Sequence, residues 1–263
     1  MTLDDAYANA AHIPGAEEFP PRWSAAAALF RAQLGAQAEV GVSYGPSERQ
    51  TYDLFQPEGT AQGAVIFVHG GYWKAFDPSV WSHLAAGPLA RGWAVAMPGY
   101  DLCPNVRISD ITRQIAAAVT AIAARTQGPL VLTGHSAGGH LVGRMLADGM
   151  LAPQVRARIV RVVPISPVAD LEPLLQTSMN DILHLDETEA QAESVTRMPP
   201  PEGVEVTVWV GGDERPAFLD QARWMAEAWD VTDVVVTGKH HFDVIDALAE
   251  PDSDLVNTLC GAA

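Results

Sequence analysis

The segment Leu130-Val131-Leu132-Thr133-Gly134-His135-Ser136-Ala137-Gly138-Gly139-His140 constrains the fold more than any other part of the chain. An apolar run enters a turn framed by glycines and leaves it as helix-forming sequence over 141–148. A strand that reverses into a helix within so few residues leaves little room for side chains, and Gly134 and Gly138 supply that room. Other short β-rich runs stand at 65–68, 94–97, 159–163, 204–210 and 231–236, and Ile111, Ile115, Val119 and Ile122 repeat at helical spacing between two of them. This alternation predicts an α/β chain, a mostly parallel central sheet with helices on both faces. Upstream, 39–43 and 50–55 flank Tyr44-Gly45-Pro46-Ser47-Glu48, whose Gly and Pro favour a turn, so an antiparallel N-terminal edge hairpin is expected.

A chain of 263 residues that is 48% hydrophobic is long enough for one large core. It carries no repeat, low-complexity tract or linker-like run, so residues 1–263 are read as a single domain. The exception is the stretch before the run at 204–210, which includes Pro167, Pro173, Pro199, Pro200 and Pro201. Loops of that length inside a domain are usually functional, and 167–201 is expected to form a small cap-like insertion whose apolar lining comes from Leu171, Leu174, Leu175 and Met179.

With 16 basic against 32 acidic side chains the formal net charge is −16, which disfavours nucleic acid and anionic membranes as partners and leaves a small-molecule substrate. Cys103 and Cys260 are too few for a disulfide framework and lack zinc-site spacing. Acids stand in Met1-Thr2-Leu3-Asp4-Asp5 where a secretory signal carries basic residues, and no apolar run reaches a membrane span, so a cytoplasmic protein is expected. Oligomeric state is left open, with a homodimer among the alternatives.

The chemistry follows from the turn. Strand, turn and helix in this order place Ser136 on a strained bend with its Oγ projecting, and aim the positive end of the helix at a reacting carbonyl. A bare Gly-x-Ser-x-Gly is a weak signal, and a second motif strengthens it. Residues 63–68 lead as a buried strand into His69-Gly70-Gly71-Tyr72-Trp73, a loop of the kind that supplies an oxyanion donor. Backbone N–H groups near Gly70 or Gly71 and at Ala137 would each stabilise a tetrahedral oxyanion by roughly 3–4 kcal/mol. The plain alternative is that the His-Gly-Gly loop only ends a strand.

An acid and a base must follow the serine, and both come as adjacent pairs at the ends of successive strands, where an open α/β sheet places its site. Asp213 and Glu214 follow the run at 204–210, and His240 and His241 follow that at 231–236. His241 is favoured as base because Phe242-Asp243-Val244-Ile245 reads as a helix start, which makes His240 a surface or supporting residue. Loop geometry favours Glu214, with Asp213 the alternative. Either carboxylate could instead be an exposed loop group or cap a helix around 217–229. His135 and His140 are five apart, off one helical face, and His12, His83 and His184 form no ligand spacing, so no metal is expected.

Taken together, His69-Gly70-Gly71-Tyr72-Trp73, Gly134-His135-Ser136-Ala137-Gly138 and Ser166-Pro167-Val168-Ala169-Asp170-Leu171-Glu172-Pro173-Leu174 resemble the arylformamidase (kynurenine formamidase) branch of the α/β-hydrolases. Tyr100-Asp101-Leu102-Cys103-Pro104 and Thr177-Ser178-Met179-Asn180 extend the likeness over most of the chain. The resemblance implies an α/β-hydrolase fold and cleavage of an aryl formamide such as N-formylkynurenine, with Ser136 as nucleophile, His241 as base and the strand-end acid as its orienting group. The family acid lies three positions after the strand-ending glycine, which counts from Gly211 to Glu214, although the family often carries Asp there. Such hydrolysis needs no cofactor.

Tyr72 and Trp73, with Phe76 and Trp81, are near enough in sequence to wall an aromatic leaving group. A carboxylesterase or thioesterase acting on short acyl groups shares the same triad. A non-catalytic binding protein of the same fold would lack a serine, acid or histidine, and all three are present.

Overall fold

The computed structural model describes residues 2–261. Eight strands form one sheet: β1 (Ala38–Ser43), β2 (Thr51–Phe55), β3 (Ala64–Val68), β4 (Ala94–Pro98), β5 (Leu130–His135), β6 (Ile159–Ile165), β7 (Glu205–Gly211) and β8 (Thr232–Val236). Their spatial order is β1-β2-β4-β3-β5-β6-β7-β8. The β1–β2 and β2–β4 pairs are antiparallel and all others are parallel. Each β-rich run of the sequence is a strand, and the stretch before them is the edge hairpin. This is the mostly parallel sheet with an antiparallel edge that the resemblance implies.

Period-two alternation divides the strand side chains between two apolar layers. Ile66, Val68, Leu130, Leu132, Val162 and Val208 face one layer, which is covered by α2 (Ile108–Arg125), α3 (Ala137–Arg144) and α5 (Pro216–Trp229), while α1 (Phe19–Leu34) and α6 (Asp254–Cys260) cover the other. That other layer receives Val65, Phe67, Val131, Val163, Ile165 and Trp209. The strands β3 and β5 are buried throughout, which explains the uninterrupted apolar sequence of β3 and of Leu130–Leu132 in β5. Among the described residues no helix is long and apolar enough to cross a membrane.

The proline-rich connection between β6 and β7 folds into short pieces, a 3-10 turn at Glu172–Gln176, a helix at Asn180–Leu183 and α4 (Glu187–Glu193). Leu171 and Leu174, expected to line a cap, are instead fully buried in the core. Burial of this segment is completed by charge. Glu193 accepts from Arg144 Nε at 3.1 Å and from Thr112 Oγ1 at 2.7 Å, and its carbonyl meets His140 Nε2 at 2.9 Å. Arg144 and His140 lie on α3, so the insertion is tied to the helix that follows the serine turn. A buried pair of this kind is expensive to break, because a lone charge would be left without water.

Candidate active site

Ser136 has φ 58° and ψ −117°, a left-handed conformation that an L-residue adopts at a cost of order 1–3 kcal/mol. Close packing enforces it. A Cβ on Gly138 would stand 1.9 Å from the carbonyl oxygen of Val68, and one on Gly134 would stand 2.4 Å from that of Gly138, so only glycine lets β3, β5 and α3 approach this closely. The Ser136 N–H donates to Ile165 O at 2.8 Å, which ties the bend to β6 as well.

Ala137 opens α3, so its N–H has no acceptor within its own helix. Gly70 lies against the bend, a Cβ there being 3.1 Å from Ser136 Cβ. The loop after it is tightly wound, with positive φ at Gly71 (106°), Tyr72 (50°), Trp73 (55°) and Phe76 (72°). Among the described residues, the amides of Gly70, Gly71 and Ala137 donate to no protein acceptor outside regular helices and strands. The loop is held from behind by Arg49, whose Nε donates to Tyr100 O at 2.9 Å and whose Nη2 donates to Phe76 O. Tyr100 in turn stacks on His69 with ring centroids 4.4 Å apart and donates to His69 O at 2.9 Å. Burial pushes the His69 imidazole down to about 4, so it is a neutral spacer at neutral pH.

The ambiguous pairs separate cleanly in space. His241 Nδ1 donates to Glu214 Oε2 at 2.6 Å, and both side chains are almost wholly buried. The other carboxylate oxygen, Oε1, accepts from Gly211 N at 2.9 Å and from Ser166 Oγ. Asp213 is exposed. His240 Nδ1 accepts from the Phe242 and Asp243 amides at 3.1 and 3.3 Å, closing the turn from inside. The residues after His241 form a run of turns and then a 3-10 turn, Asp246–Ala249, in place of the expected α-helix start. With Nδ1 donating to a carboxylate, His241 presents the Nε2 lone pair elsewhere.

His135, between Gly134 and Ser136, lies 4.5 Å from His241 by ring centroid. Burial holds it well below the usual histidine range, and the neighbouring His241 ring acts in the same direction. A neutral neighbour does not oppose formation of an imidazolium on His241.

Ser136, His241, His135, Gly70 and Gly71 line one cavity of about 720 Å³. Tyr72, Phe76 and Trp81 also line it, and Tyr72 is fixed by donation from its hydroxyl to Tyr7 O at 2.7 Å. Trp73 does not reach it, contrary to expectation. Its ring is 0% exposed, lies in the core layer and meets His140 edge-on at 5.2 Å, in a loop wound by positive φ at Tyr72 and Trp73. From the insertion only Ser178, Met179 and Ile182 contribute.

Several contributors carry no motif in the sequence. Trp23 and Phe242 complete an aromatic wall, their rings 5.4 Å apart, with Trp23 also 4.7 Å from Trp81. The N-terminal arm supplies Asp4, Tyr7, Ala8, Asn9, Ala10 and Ala11. Ser166, at the end of β6 with φ 47°, sits within the quoted Ser-Pro motif, and its place at the carboxyl edge of a strand is the signal that could have marked it as a partner of the acid.

A family model described as the alpha/beta hydrolase fold matches residues 65–241. The kynurenine formamidase of Drosophila melanogaster is 32% identical over 229 residues, covering 79% of this chain and 76% of that protein. The kynurenine formamidase of Salmo salar is 27% identical over 244 residues, 87% of this chain and 83% of that one. A crystal structure from Silicibacter sp., provisionally named a thioesterase, superposes with a TM-score of 0.97 at 59% identity and covers 98% of this chain and 99% of its own. Esterase B of Lactobacillus rhamnosis shares the fold, with a TM-score of 0.64 at 20% identity over 87% of each chain.

Proposed function

The chain belongs to the α/β-hydrolase fold family, in a branch it shares with kynurenine formamidases, and from that premise we propose that this hydrolase of small acyl substrates cleaves an aryl formamide such as N-formylkynurenine. The observation that carries the reading is the cavity beside the strained serine. A formyl group has no side chain, so a space of about 720 Å³ walled by Trp23, Phe76, Trp81 and Phe242 suits an aromatic leaving group.

The reaction begins when His241 Nε2 takes the proton of Ser136 as Oγ attacks the formyl carbon. The tetrahedral oxyanion is held by the amide of Ala137 and by that of Gly70 or Gly71. Glu214 positions the imidazole and balances its charge, and Ser166 and the Gly211 amide hold the carboxylate in place. The imidazolium then protonates the departing aryl nitrogen as the C–N bond breaks. Water, deprotonated by the same imidazole, attacks the formyl-enzyme and releases formate, returning the proton to Ser136. No step calls for a cofactor or metal. The same reading keeps the protein in the cytoplasm, where the unpaired thiols Cys103 and Cys260 remain reduced, and gives it a small molecule in place of nucleic acid or membrane as its partner.

A thioesterase or carboxylesterase is the second reading, supported by the 59% identical Silicibacter structure. Measurement of kcat/KM on N-formylkynurenine beside p-nitrophenyl acetate and a short acyl thioester separates the two. A formamide preference of about a hundredfold, some 2.7 kcal/mol of differential transition-state binding, is expected. Turnover of esters or thioesters without formamide cleavage would retire the formamidase reading and leave the serine chemistry standing.

A further inference from the structure

Asn9 lies on the N-terminal arm, lines the cavity that holds Ser136 and His241, and is 6% exposed. A carboxamide can donate two hydrogen bonds and accept two, and neither Nδ2 nor Oδ1 of Asn9 has a partner in the protein. Asn9 precedes the 3-10 turn Ala10–His12, a position where an asparagine normally caps the turn with its side chain, yet no such bond is made. Buried indole nitrogens also lack partners, at Trp73 and Trp229 in the core as well as at Trp23 and Trp81 in the wall, so an orphaned indole distinguishes nothing. Asn9 is the buried carboxamide in this position, and a fold gains nothing by dehydrating one without a partner.

The arm that carries Asn9 is held firmly. Asp5 pairs with Arg215 at 2.9 Å and with His12 at 2.8 Å. Asp4 accepts from Ser178 N at 2.6 Å and Oγ at 2.9 Å. Gln221 Nε2 donates to Tyr7 Oη at 2.8 Å. An arm with its other polar groups matched carries, in the wall of the catalytic cavity, one buried side chain whose hydrogen-bonding capacity is wholly unused.

We infer that Asn9 is a specificity-determining residue that reads a polar substituent on the leaving group, donating through Nδ2 to a carbonyl or carboxylate oxygen and accepting through Oδ1 from an amine or amide N–H. The leaving-group assignment rests on the formamidase reading, since a formyl carbon bears nothing that could extend to the arm. A plain anilide or phenyl ester leaves the carboxamide unmatched, and a site with a buried unpaired polar group rejects the analogue that lacks its partner.

The experiment uses two substrate pairs that differ only in the polar substituent: formanilide against 2-formamidobenzamide, and phenyl acetate against 2-carbamoylphenyl acetate. For each pair kcat/KM gives a polar-over-plain ratio, read in the wild-type chain, in Asn9→Leu, which keeps the shape, and in Asn9→Ala. Both variants are expected to lower the ratio at least about tenfold, through KM, with an unchanged or higher Tm because a dehydrated carboxamide has been removed. A ratio within twofold of wild type in a folded variant would overturn the inference. Should neither variant fold, wild-type inhibition decides: 2-aminobenzamide must bind at least about tenfold more tightly than aniline, and equal binding sinks the idea. If only the ester pair is turned over, the formamidase reading fails and the ester ratios still test Asn9.

Discussion

On one side of the catalytic cavity, Ser136, Ala137 and Gly70 are held by backbone, at the ends of β3 and β5, where neighbouring chains pass at distances that exclude a Cβ. On the other side, Tyr7 and Asn9 are held through side chains, by the Asp4–Ser178, Asp5–Arg215 and Tyr7–Gln221 contacts of an arm that pairs with no strand. The first wall cannot shift without disturbing two core layers. The second rests on separate polar contacts, several of them half exposed, each of small individual worth. On the proposed reading, chemistry depends on the sheet and choice of substrate on a latch.

If this division is correct, changes in the sheet-anchored wall reduce turnover or unfold the chain, and changes in the arm move KM. The largest effect belongs to the acid. Glu214→Gln should lower kcat by about a thousandfold, since an amide cannot fix the imidazole tautomer as a carboxylate does, while exposed Asp213→Asn stays within about twofold. The reverse ranking, from steady-state kinetics on any hydrolysed substrate, would move the acid to Asp213. Next is Gly138→Ala, which drives a methyl into the Val68 carbonyl; denaturant titration should show a loss of at least about 3 kcal/mol, and a stability within error of wild type would mean that β3 and α3 are not packed as described.

The strand-anchored wall was legible in the sequence because its glycines and apolar runs are local statements about backbone. The Gly-x-Ser-x-Gly turn and the His-Gly-Gly loop each sit next to the strand that positions them. The arm was not legible, because Asp5 meets Arg215 and Tyr7 meets Gln221 across more than two hundred residues, and nothing in the first twenty residues has a period or motif that announces a pocket. Trp73 misled for a related reason. Its neighbour Tyr72 does line the cavity while Trp73 lies in the core, and sequence adjacency does not report which side of a tightly wound loop each side chain takes. Adjacency likewise left Asp213 and Glu214 unresolved until the Ser166 and Gly211 donors showed which carboxylate is enclosed.

Two smaller effects follow. Burial holds His69 at about 4 and His140 at about 3, both below the unfolded value near 6.5. Below pH 6.5 the unfolded chain binds protons that the folded chain refuses, so stability is fully present above that pH and falls as pH drops towards 4, by up to about 1.4 kcal/mol per pH unit for each histidine. Urea midpoints between pH 7.5 and 4.5 should show a shallower decline in His140→Gln than in wild type, and identical slopes would remove His140 from this account. Smallest is Asp5→Ala, which releases part of the latch. It should raise KM about three- to tenfold with kcat within about twofold, and a fall in kcat alone would place the arm in the chemistry and not in binding.

The most direct measurement is covalent labelling with a fluorophosphonate, which reacts only with a serine activated by its neighbours. Mass spectrometry of the digested wild-type protein should find the adduct on the peptide containing Ser136, in step with loss of hydrolysis, and Ser136→Ala should take up no label and hydrolyse no substrate. Labelling at another serine, or hydrolysis that persists in Ser136→Ala, would contradict the account at its centre.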